Sequence, residues 1–497
     1  MRFDSFIHRL LTAMPVLITI PLFLASPPAA GQLQQCGVQT PATGVTSDLW
    51  SSLHPTDVGA LPAQRNSTNW NSFLRPDSKF PLFESVDVKG GYTFVVYTTS
   101  FQIWDGLGAN ATQPQRLSER DGWRGEWLAW PPGNSEIRDF PIDVDAPAGN
   151  TNVVATAGEA EVGLGIWNTA DKLHPRGIYH DVGRNFGEVY SATIGGRSYA
   201  FGAAEAGTSN GLQVYDMTTA LGLGPTGCVQ DTSAGTGASC PGIWLGRIGA
   251  DEGVSYVDGV ALTGGKHLLA YSSGVPVRGV ALWDVTSPDP PSGPINLRSG
   301  GGRFLGSDII YGVALWQQGG STYLGVNVGS GARIYNVSGC LTGGCSALPA
   351  PIWTRSWSIL AARHFVTFSR GGAGGNTPYL YFGEENSCGS PGQHHEWLFD
   401  VSNPASPVEE GFNSAKTKTV RVCSSPNGTP PGCPGTDYLV DYWSHYSSYP
   451  TGVYFFMPQH AKFNGRFLYR AAYSIFNVHE KVDLSPAIEL TGPATAY

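Results

Sequence analysis

Five residues spaced widely along the sequence are of the types that carry out acid–base chemistry on a polar substrate. They are Tyr190, Tyr256, Arg363, His364 and His460, and each falls at or near the start of a predicted β-strand. Histidine or tyrosine can serve as the acid and the base of a proton transfer, and arginine can fix a carboxylate. The set is typical of a carbohydrate-active enzyme such as a polysaccharide lyase. The alternative is that these side chains only hydrogen-bond to one another and to water.

Four more residues lie at similar positions in their predicted strands: Glu84, Arg138, Glu188 and Tyr311. A tryptophan-rich stretch, RLSERDGWRGEWLAWPPGN (116–134), also bears on the carbohydrate hypothesis. Its indole rings could form a platform on which sugars stack, or they could simply pack within their own loop.

A second cluster of potential ligands lies in the stretch GEENSCGSPGQHHEW (383–397). Carboxylate and imidazole groups on one hairpin loop can hold a divalent metal, and Glu384 and His394 are the candidates there, with His445 as a third ligand. This predicts a metal-dependent enzyme, whereas the alternative is a solvated, charged loop. The spacing of these residues matches no zinc signature.

The common catalytic motifs are absent from the sequence. It contains no GxSxG elbow, no HExxH, no Walker lysine loop and no dinucleotide fingerprint. These absences narrow the classes of enzyme to which the chain could belong.

The elements that would position these residues belong to an internal repeat. The stretch RSYAFGAAEAGTSNGLQVYD reads as a strand, a glycine-rich turn and a second strand that ends on an aromatic residue and an acid. Seven similar copies lie at 92–105, 153–168, 197–216, 267–284, 322–336, 379–400 and 467–478. Because one such unit can bury its faces only against its neighbours, the repeat predicts an all-β, seven-bladed β-propeller with its ligand site at the channel mouth.

Three of these units carry a more specific resemblance. The segments GLQVYDMTTA (211–220), GVALWDVTSPDPP (279–291) and HEWLFDVSNPASP (395–407) resemble the closing strand and turn of LVIVD-repeat proteins. The resemblance implies a β-propeller at the cell exterior and implies no activity. The closing acids Asp216, Asp284 and Asp400 are themselves expected to accept hydrogen bonds from N–H groups of the following turn.

The composition excludes several classes of partner. The chain has 65 glycines among 497 residues, 14% charged residues and a net charge of −9, so it lacks the basic surface that nucleic acid requires. A protein or carbohydrate ligand remains the expected partner. We expect a monomer without a transmembrane anchor.

The start of the sequence predicts export. A basic segment, the apolar run 10–24 and the small residues of SPPAAG form a signal peptide with cleavage after Gly31. The alternatives are lipidation at Cys36 or a retained anchor. The resulting domain prediction is a signal peptide (1–31), an extended N-terminal arm (32–80), the propeller (81–485) and a C-terminal tail (486–497).

The eight cysteines fit an exported protein, since an even number can pair completely. Three pairs are close in sequence: Cys228 with Cys240, Cys340 with Cys345, and Cys423 with Cys433. Cys36 and Cys388 would then form the fourth pair, although the spacing leaves the connectivity open. Secretion or display at the cell surface is therefore expected.

Overall fold

The fold comes from a computed structural model. It describes residues 83–97, 100–105, 115–120, 141–158, 163–182, 184–204, 211–224, 227–230, 232, 239–249, 253–272, 278–290, 292–328, 331–356, 362–370, 377–384, 394–415, 418–419, 453–454, 456–464, 467–474 and 484–489. All of them belong to one compact unit, Cys36–Tyr497. The described residues form an all-β structure, as predicted from the repeat.

Seven sheets of three to five strands are present among the described residues, together with a two-stranded ribbon. The first sheet contains β1 (Phe83–Lys89), β2 (Tyr92–Tyr97), β3 (Ser100–Asp105) and β4 (Gln115–Arg120). The second contains β5 (Pro141–Asp145), β6 (Val153–Gly158), β7 (Leu164–Asn168), β8 (Arg176–Asp181) and β12 (Cys228–Gln230). The third contains β9 (Phe186–Ile194), β10 (Arg197–Ala204), β11 (Gly211–Asp216) and β13 (Trp244–Ile248). The fourth contains β14 (Tyr256–Ala261), β15 (His267–Ser272), β16 (Val280–Asp284) and β17 (Ile295–Asn296).

The remaining sheets follow the same order along the chain. The fifth contains β18 (Gly312–Gln318), β19 (Ser321–Asn327), β20 (Gly331–Asn336) and β21 (Trp353–Ser356). The sixth contains β22 (Ala362–Arg370), β23 (Thr377–Glu384), β24 (His394–Asp400) and β25 (Val408–Ala415). The ribbon pairs β26 (Lys418–Thr419) with β27 (Val453–Tyr454), and the seventh sheet contains β28 (Phe456–Asn464), β29 (Phe467–Ser474) and β30 (Leu484–Glu489). A short helix α1 (Met217–Leu221) and a 3-10 turn (Ser338–Thr342) complete the described elements.

Tight turns formed by two glycines connect the first and second strands of several sheets. The first and second strands of three sheets are joined at Gly90-Gly91, Gly195-Gly196 and Gly319-Gly320. In each pair both φ angles are positive, between 57° and 83°. A two-residue hairpin turn that matches the twist of the strands requires this conformation at both positions, which favours glycine.

The first strand of every sheet lies at one edge of that sheet. Each first strand contacts the first strand of the next sheet, in the order β1, β5, β9, β14, β18, β22 and β28, and β28 contacts β1 in turn. We call these seven strands the first strands. The series of contacts between them therefore returns to its starting point.

The hydrophobic core is divided into layers between consecutive sheets. Strand β6 is buried along its whole length because Val154 packs toward the first sheet, while Val153 and Ala155 pack toward the third. Trp167 of the second sheet lies 4.9 Å from the ring of Phe101 in the first. Similar clusters fill the spaces between the third, fourth, fifth and sixth sheets. Burial of one such aromatic side chain stabilises the fold by about 2–3 kcal/mol.

The closing acids of the repeat have the predicted role. Hydrogen bonds join Asp216 to the Thr219 N–H (2.9 Å), Asp284 to the Thr286 N–H (3.0 Å) and Asp400 to the Ser402 N–H (2.7 Å). Each carboxylate accepts from the turn that follows it, and Asp216 also caps α1. The prediction that these acids are turn residues is confirmed.

Two predicted disulfides, Cys228–Cys240 and Cys340–Cys345, are present. Cys228 of the first disulfide lies in β12, which follows the third repeat in the chain but pairs in parallel with β8 of the second sheet. The other four cysteines (Cys36, Cys388, Cys423 and Cys433) lie outside the described residues, as do the predicted signal peptide and N-terminal arm. Disulfides are typical of compartments outside the reducing cytosol. Within the described ranges, no helix has the length and apolar character needed to cross a membrane.

Candidate functional site at the first strands

Carboxylates on the first strands bind the main chain of the next sheet. Asp143 of β5 accepts hydrogen bonds from the Ser85 hydroxyl (2.6 Å) in the preceding sheet and from the Val189 N–H (2.8 Å) in the following one. Four more carboxylate contacts follow the same rule: Asp87 with Ala146 N–H (2.8 Å), Asp145 with Ser191 N–H (2.5 Å), Glu188 with Val257 N–H (2.9 Å) and Asp258 with Leu315 N–H (2.7 Å).

These contacts have a clear physical origin. A first strand is an edge strand, so N–H groups along its outer side have no partner within its own sheet. A carboxylate from the preceding sheet supplies the acceptor, and a hydrogen bond to a charged group is stronger than one between neutral groups. Glu188, a candidate site residue from the sequence, therefore has a structural contact at the junction between the third and fourth sheets.

One lysine supplies positive charge to this group of acids. Lys89, at the end of β1, lies 2.9 Å from Asp87 and 3.3 Å from Asp145, and its side chain is 28% exposed. Burial alone would lower the pKa of Lys89, but Asp145 and Asp87 outweigh burial and raise the pKa above its usual value. The lysine is therefore a permanent cation that joins the first and second sheets.

Tyr190 forms a hydrogen-bonded pair with a histidine from the fourth sheet. Its hydroxyl lies 2.9 Å from Nε2 of His267, and its ring stacks on Phe201 with the centroids 6.2 Å apart. The ring also covers Gly259, where an added Cβ would lie only 2.4 Å from it. The pair therefore spans the same junction that Glu188 bridges, and glycine at 259 is what allows the ring to reach across.

The pKa values of the pair limit its chemistry. Burial lowers the pKa of His267 to about 4, so the imidazole is neutral near pH 7 and Nε2 can accept from the Tyr190 hydroxyl. Burial, with Asp258 and Asp145 adding negative charge, raises the pKa of Tyr190 well above its usual value. Proton transfer from tyrosine to histidine is therefore strongly uphill, and both groups stay neutral in the resting protein.

The other predicted catalytic residues are distributed over three sheets. Tyr256 begins β14 and is buried in the apolar layer between the fourth and fifth sheets. Arg363 and His364 lie in β22 and His460 lies in β28, and these two first strands are in contact. The main chain thus brings Arg363, His364 and His460 onto neighbouring strands; their side chains lie outside the described part of the structure.

The predicted metal ligands are placed only in part. Glu384 ends β23 and His394 begins β24, so both lie at the same end of one hairpin, while His445 is outside the described residues. Arg138 is also outside them, and Glu84 is described only by its main chain in β1. In the part of the chain that the structure describes, no three histidine, cysteine, aspartate or glutamate residues converge on one point.

A register shift recurs in the first strands. The pairing of the first strand with the second is interrupted at Glu84 in β1, Ile142 in β5, Gly187 in β9, Arg363 in β22 and Gln459 in β28. The shifts lie within the first four residues of each strand, so all five belong to the end at which the first strands begin. Irregularities of this kind redirect a side chain and twist the strand locally. We call this end the entry end of the first strands.

Sequence reasoning missed His267 and Lys89, which contribute the side-chain contacts described above. His267 begins a second strand and Lys89 ends a first strand, whereas the residues predicted from the sequence lie at the starts of strands nearest the expected channel. No local motif marks either residue, because the partner of His267 lies 77 positions away and Lys89 has, besides its neighbour Asp87, a partner 56 positions away in another repeat.

Comparison with known proteins does not identify a family. No family model matches the sequence, and no curated protein matches it. Among solved structures, a periplasmic gluconolactonase of Pseudomonas aeruginosa is 12% identical, with a TM-score of 0.43 over 67% of this chain and 85% of that chain. A protein from Lactobacillus plantarum is 11% identical, with a TM-score of 0.41 over 67% and 85%. BBS1N, from a complex with ARL6DN, is 11% identical, with a TM-score of 0.37 over 70% and 87%. At TM-scores this low, the similarities carry no inference about function.

Proposed function

We propose that this protein is a secreted, seven-bladed β-propeller of the LVIVD-repeat type that acts as an extracellular binding module. The series of first-strand contacts, which returns from β28 to β1, supports a ring of seven sheets. The carboxylates that cross between first strands support the same order of sheets, since they join the first five sheets one to the next. The predicted export signal and the two disulfides fit a role outside the cytosol.

The observation that carries the binding role is the recurrent register shift at the entry end. A propeller offers its ligand site at one end of the central channel, where loops and redirected side chains meet. Register shifts at the same end of five first strands give that end an irregular main chain, and such irregularities are frequent beside functional sites. The ligand we propose is a protein or a carbohydrate that contacts the channel mouth at the entry end, bound by a monomer without a membrane anchor.

An enzyme is the second candidate, and the Tyr190–His267 pair favours it. The two groups are neutral and in hydrogen-bond contact, so toward a bound substrate the tyrosine could act as the acid and the histidine as the base of a polysaccharide lyase. The two candidate functions differ in what they require of this pair. An enzyme loses its activity when the pair is broken, whereas a binding module keeps its affinity for its ligand.

Both candidates are tested with the secreted protein on a glycan array that includes acidic polysaccharides, alongside an absorbance assay for unsaturated sugar products. For a binding module we expect ligand capture without product formation. Affinity should fall by about tenfold in Arg363→Ala and His364→Ala, because each removes a polar group at the entry end. Arg247→Ala is the matched control, since this exposed arginine lies on β13, the strand farthest from β9 in its sheet.

Two results would contradict a binding role at the entry end. If unsaturated product forms and Tyr190→Phe abolishes it while thermal unfolding is unchanged, the protein is an enzyme. If Arg363→Ala and His364→Ala bind every captured ligand as tightly as Arg247→Ala does, the entry end is not the binding surface.

A further inference from the structure

A pocket of about 510 Å³ lies between the outer parts of the fourth and fifth sheets. It is bounded by the segment that follows β17, by β20, and by the segment between the 3-10 turn and β21. The exposed residues Gly306, Ser346, Ala347 and Pro349 belong to its wall, so it opens to the surface. The volume is within the range of small-molecule sites in proteins.

Three arginines line this pocket although the chain as a whole is acidic. Arg298 donates to the Gly301 carbonyl (2.5 Å), and within the described residues it has no carboxylate partner. Arg333 is paired with Asp308 at 2.8 Å. Both side chains are half-buried, so each charge is partly removed from water but still reachable by a ligand.

The third arginine also lines the pocket, but its guanidinium group contacts the layer between the third and fourth sheets. Arg303 is buried, donates to the Gly253 carbonyl (3.0 Å) and lies over the ring of Tyr271 at 5.3 Å. These contacts fix its guanidinium group in place. The arginines available to a ligand in the pocket are therefore Arg298 and Arg333.

The pocket wall is held in a strained, fixed conformation. Leu305 has a φ of 52°, and in the described part of the chain it is alone among non-glycine residues in having a positive φ. That conformation costs about 1–2 kcal/mol. Hydrogen bonds in both directions between Phe304 and Val280 (2.8 and 2.9 Å) hold the adjacent segment, and Gly279 leaves room for it. Local strain kept in place by its surroundings is frequent at ligand sites.

The opposite wall is fixed by a covalent bond. The Cys340–Cys345 disulfide closes a short loop, and Cys345 exchanges main-chain hydrogen bonds of 2.9 Å with Leu297 and Ser299. These bonds join the segment carrying Arg298 to the segment carrying Ser346 through Pro351. Both walls are thus set before any ligand arrives, which reduces the entropy lost on binding.

We propose that this pocket binds a small organic acid through its carboxylate. Guanidinium groups recognise carboxylates by paired, charge-assisted hydrogen bonds, and Arg298 and Arg333 are the two groups that a ligand can reach. Leu305, Leu348 and Pro351 give the rest of the pocket an apolar surface on which the body of the ligand packs. The site is built from β20 and from segments between strands, and none of its lining belongs to the first strands, so it stands independently of the binding surface at the entry end.

The test measures binding of two carboxylates and their neutral counterparts by isothermal titration calorimetry on the whole secreted protein. The probes are glucuronate against glucose, and 4-phenylbutyrate against 4-phenylbutanol. We expect one acid to bind and its neutral counterpart to bind about tenfold or more weakly, because a hydrogen bond to a charged group is lost. A preference for glucuronate indicates that the pocket selects sugar acids, and a preference for 4-phenylbutyrate indicates that it selects apolar acids.

Arg298→Gln should weaken binding of the preferred acid by about tenfold or more. Arg298→Lys retains the charge but loses the planar guanidinium group that bonds a carboxylate through two N–H groups, so we expect a loss of affinity smaller than that of Arg298→Gln. The matched control is Arg176→Gln, which removes one positive charge from an exposed position on β8 and should leave the affinity unchanged. Thermal unfolding of each variant shows whether the fold is intact.

Three results would overturn the proposal. One is that neither acid binds more tightly than its neutral counterpart. Another is that Arg298→Gln and Arg176→Gln change the affinity equally. The third is that Arg298→Lys, folded as the unsubstituted protein is, binds no more tightly than Arg298→Gln.

Discussion

At the junction between the second and third sheets, Asp143 and Asp145 are nearly inaccessible to solvent (5% and 3% exposed), whereas Arg298 and Arg333 at the outer junction between the fourth and fifth sheets are half-buried. Both aspartates accept main-chain hydrogen bonds from the next sheet. Arg298 has only a carbonyl partner within the described residues. Charges fully satisfied by the fold join the sheets, while charges satisfied only in part remain available for a ligand. The two junctions should therefore respond differently to substitution.

The largest effect is expected at Asp143. Asp143→Ala removes the charged acceptor of two hydrogen bonds. The donors, the Ser85 hydroxyl and the Val189 N–H, then lack this acceptor in a buried site. We expect the free energy of unfolding to fall by about 4 kcal/mol. Urea denaturation followed by tryptophan fluorescence measures it.

Asp171→Ala is the matched control for this prediction. It also removes one carboxylate, but the Asp171 side chain is 61% exposed, and we expect no measurable change in stability. If both variants unfold at the same urea concentration, the first-strand carboxylates do not hold the sheets together.

The features predicted correctly from the sequence are local in the chain. The turn role of Asp284 depends on a residue two positions away, and the Cys340–Cys345 disulfide closes a separation of 5 residues. Short-range geometry of this kind is set by residue type and spacing, which a single sequence displays directly.

The contacts that the sequence could not predict join different repeats. Asp143 meets Val189 across 46 residues, and Tyr190 meets His267 across 77. Such pairs depend on how consecutive sheets face each other and on which strand forms the edge, so the residue pattern of one repeat does not contain them. The arginine-lined pocket belongs to the same class, because its walls come from two repeats. The repeat pattern predicted the all-β architecture, and the candidate site needed the structure.

A medium-sized, pH-dependent effect is expected at the junction between the third and fourth sheets. His267 has its pKa lowered from 6.5 to about 4 by burial, so the unfolded chain binds a proton between these values and the folded chain does not. Stability should therefore fall as the pH decreases from 6.5 toward 4, by about 2–3 kcal/mol from this residue alone. Urea denaturation at a series of pH values measures this loss.

His267→Gln isolates the contribution of the histidine. Glutamine retains an acceptor for the Tyr190 hydroxyl and does not titrate, so the variant should lose less stability on acidification than the unsubstituted protein does. An identical pH dependence in both proteins would show that the native histidine is protonated as easily as the unfolded one, and that the junction is more open to water than its burial indicates.

The smallest effect is expected beside the arginine-lined pocket. Asp308→Asn breaks the ion pair with Arg333. The side chains of Asp308 and Arg333 are 29% and 30% exposed, respectively. An ion pair this accessible to water and salt contributes little, so we expect the free energy of unfolding to change by less than about 1 kcal/mol in the same urea experiment. A loss comparable with that of Asp143→Ala would mean that the outer junction also depends on charged contacts to hold its sheets together. In that case the partial exposure of Arg333 would no longer distinguish a group available to ligand from a group required by the fold.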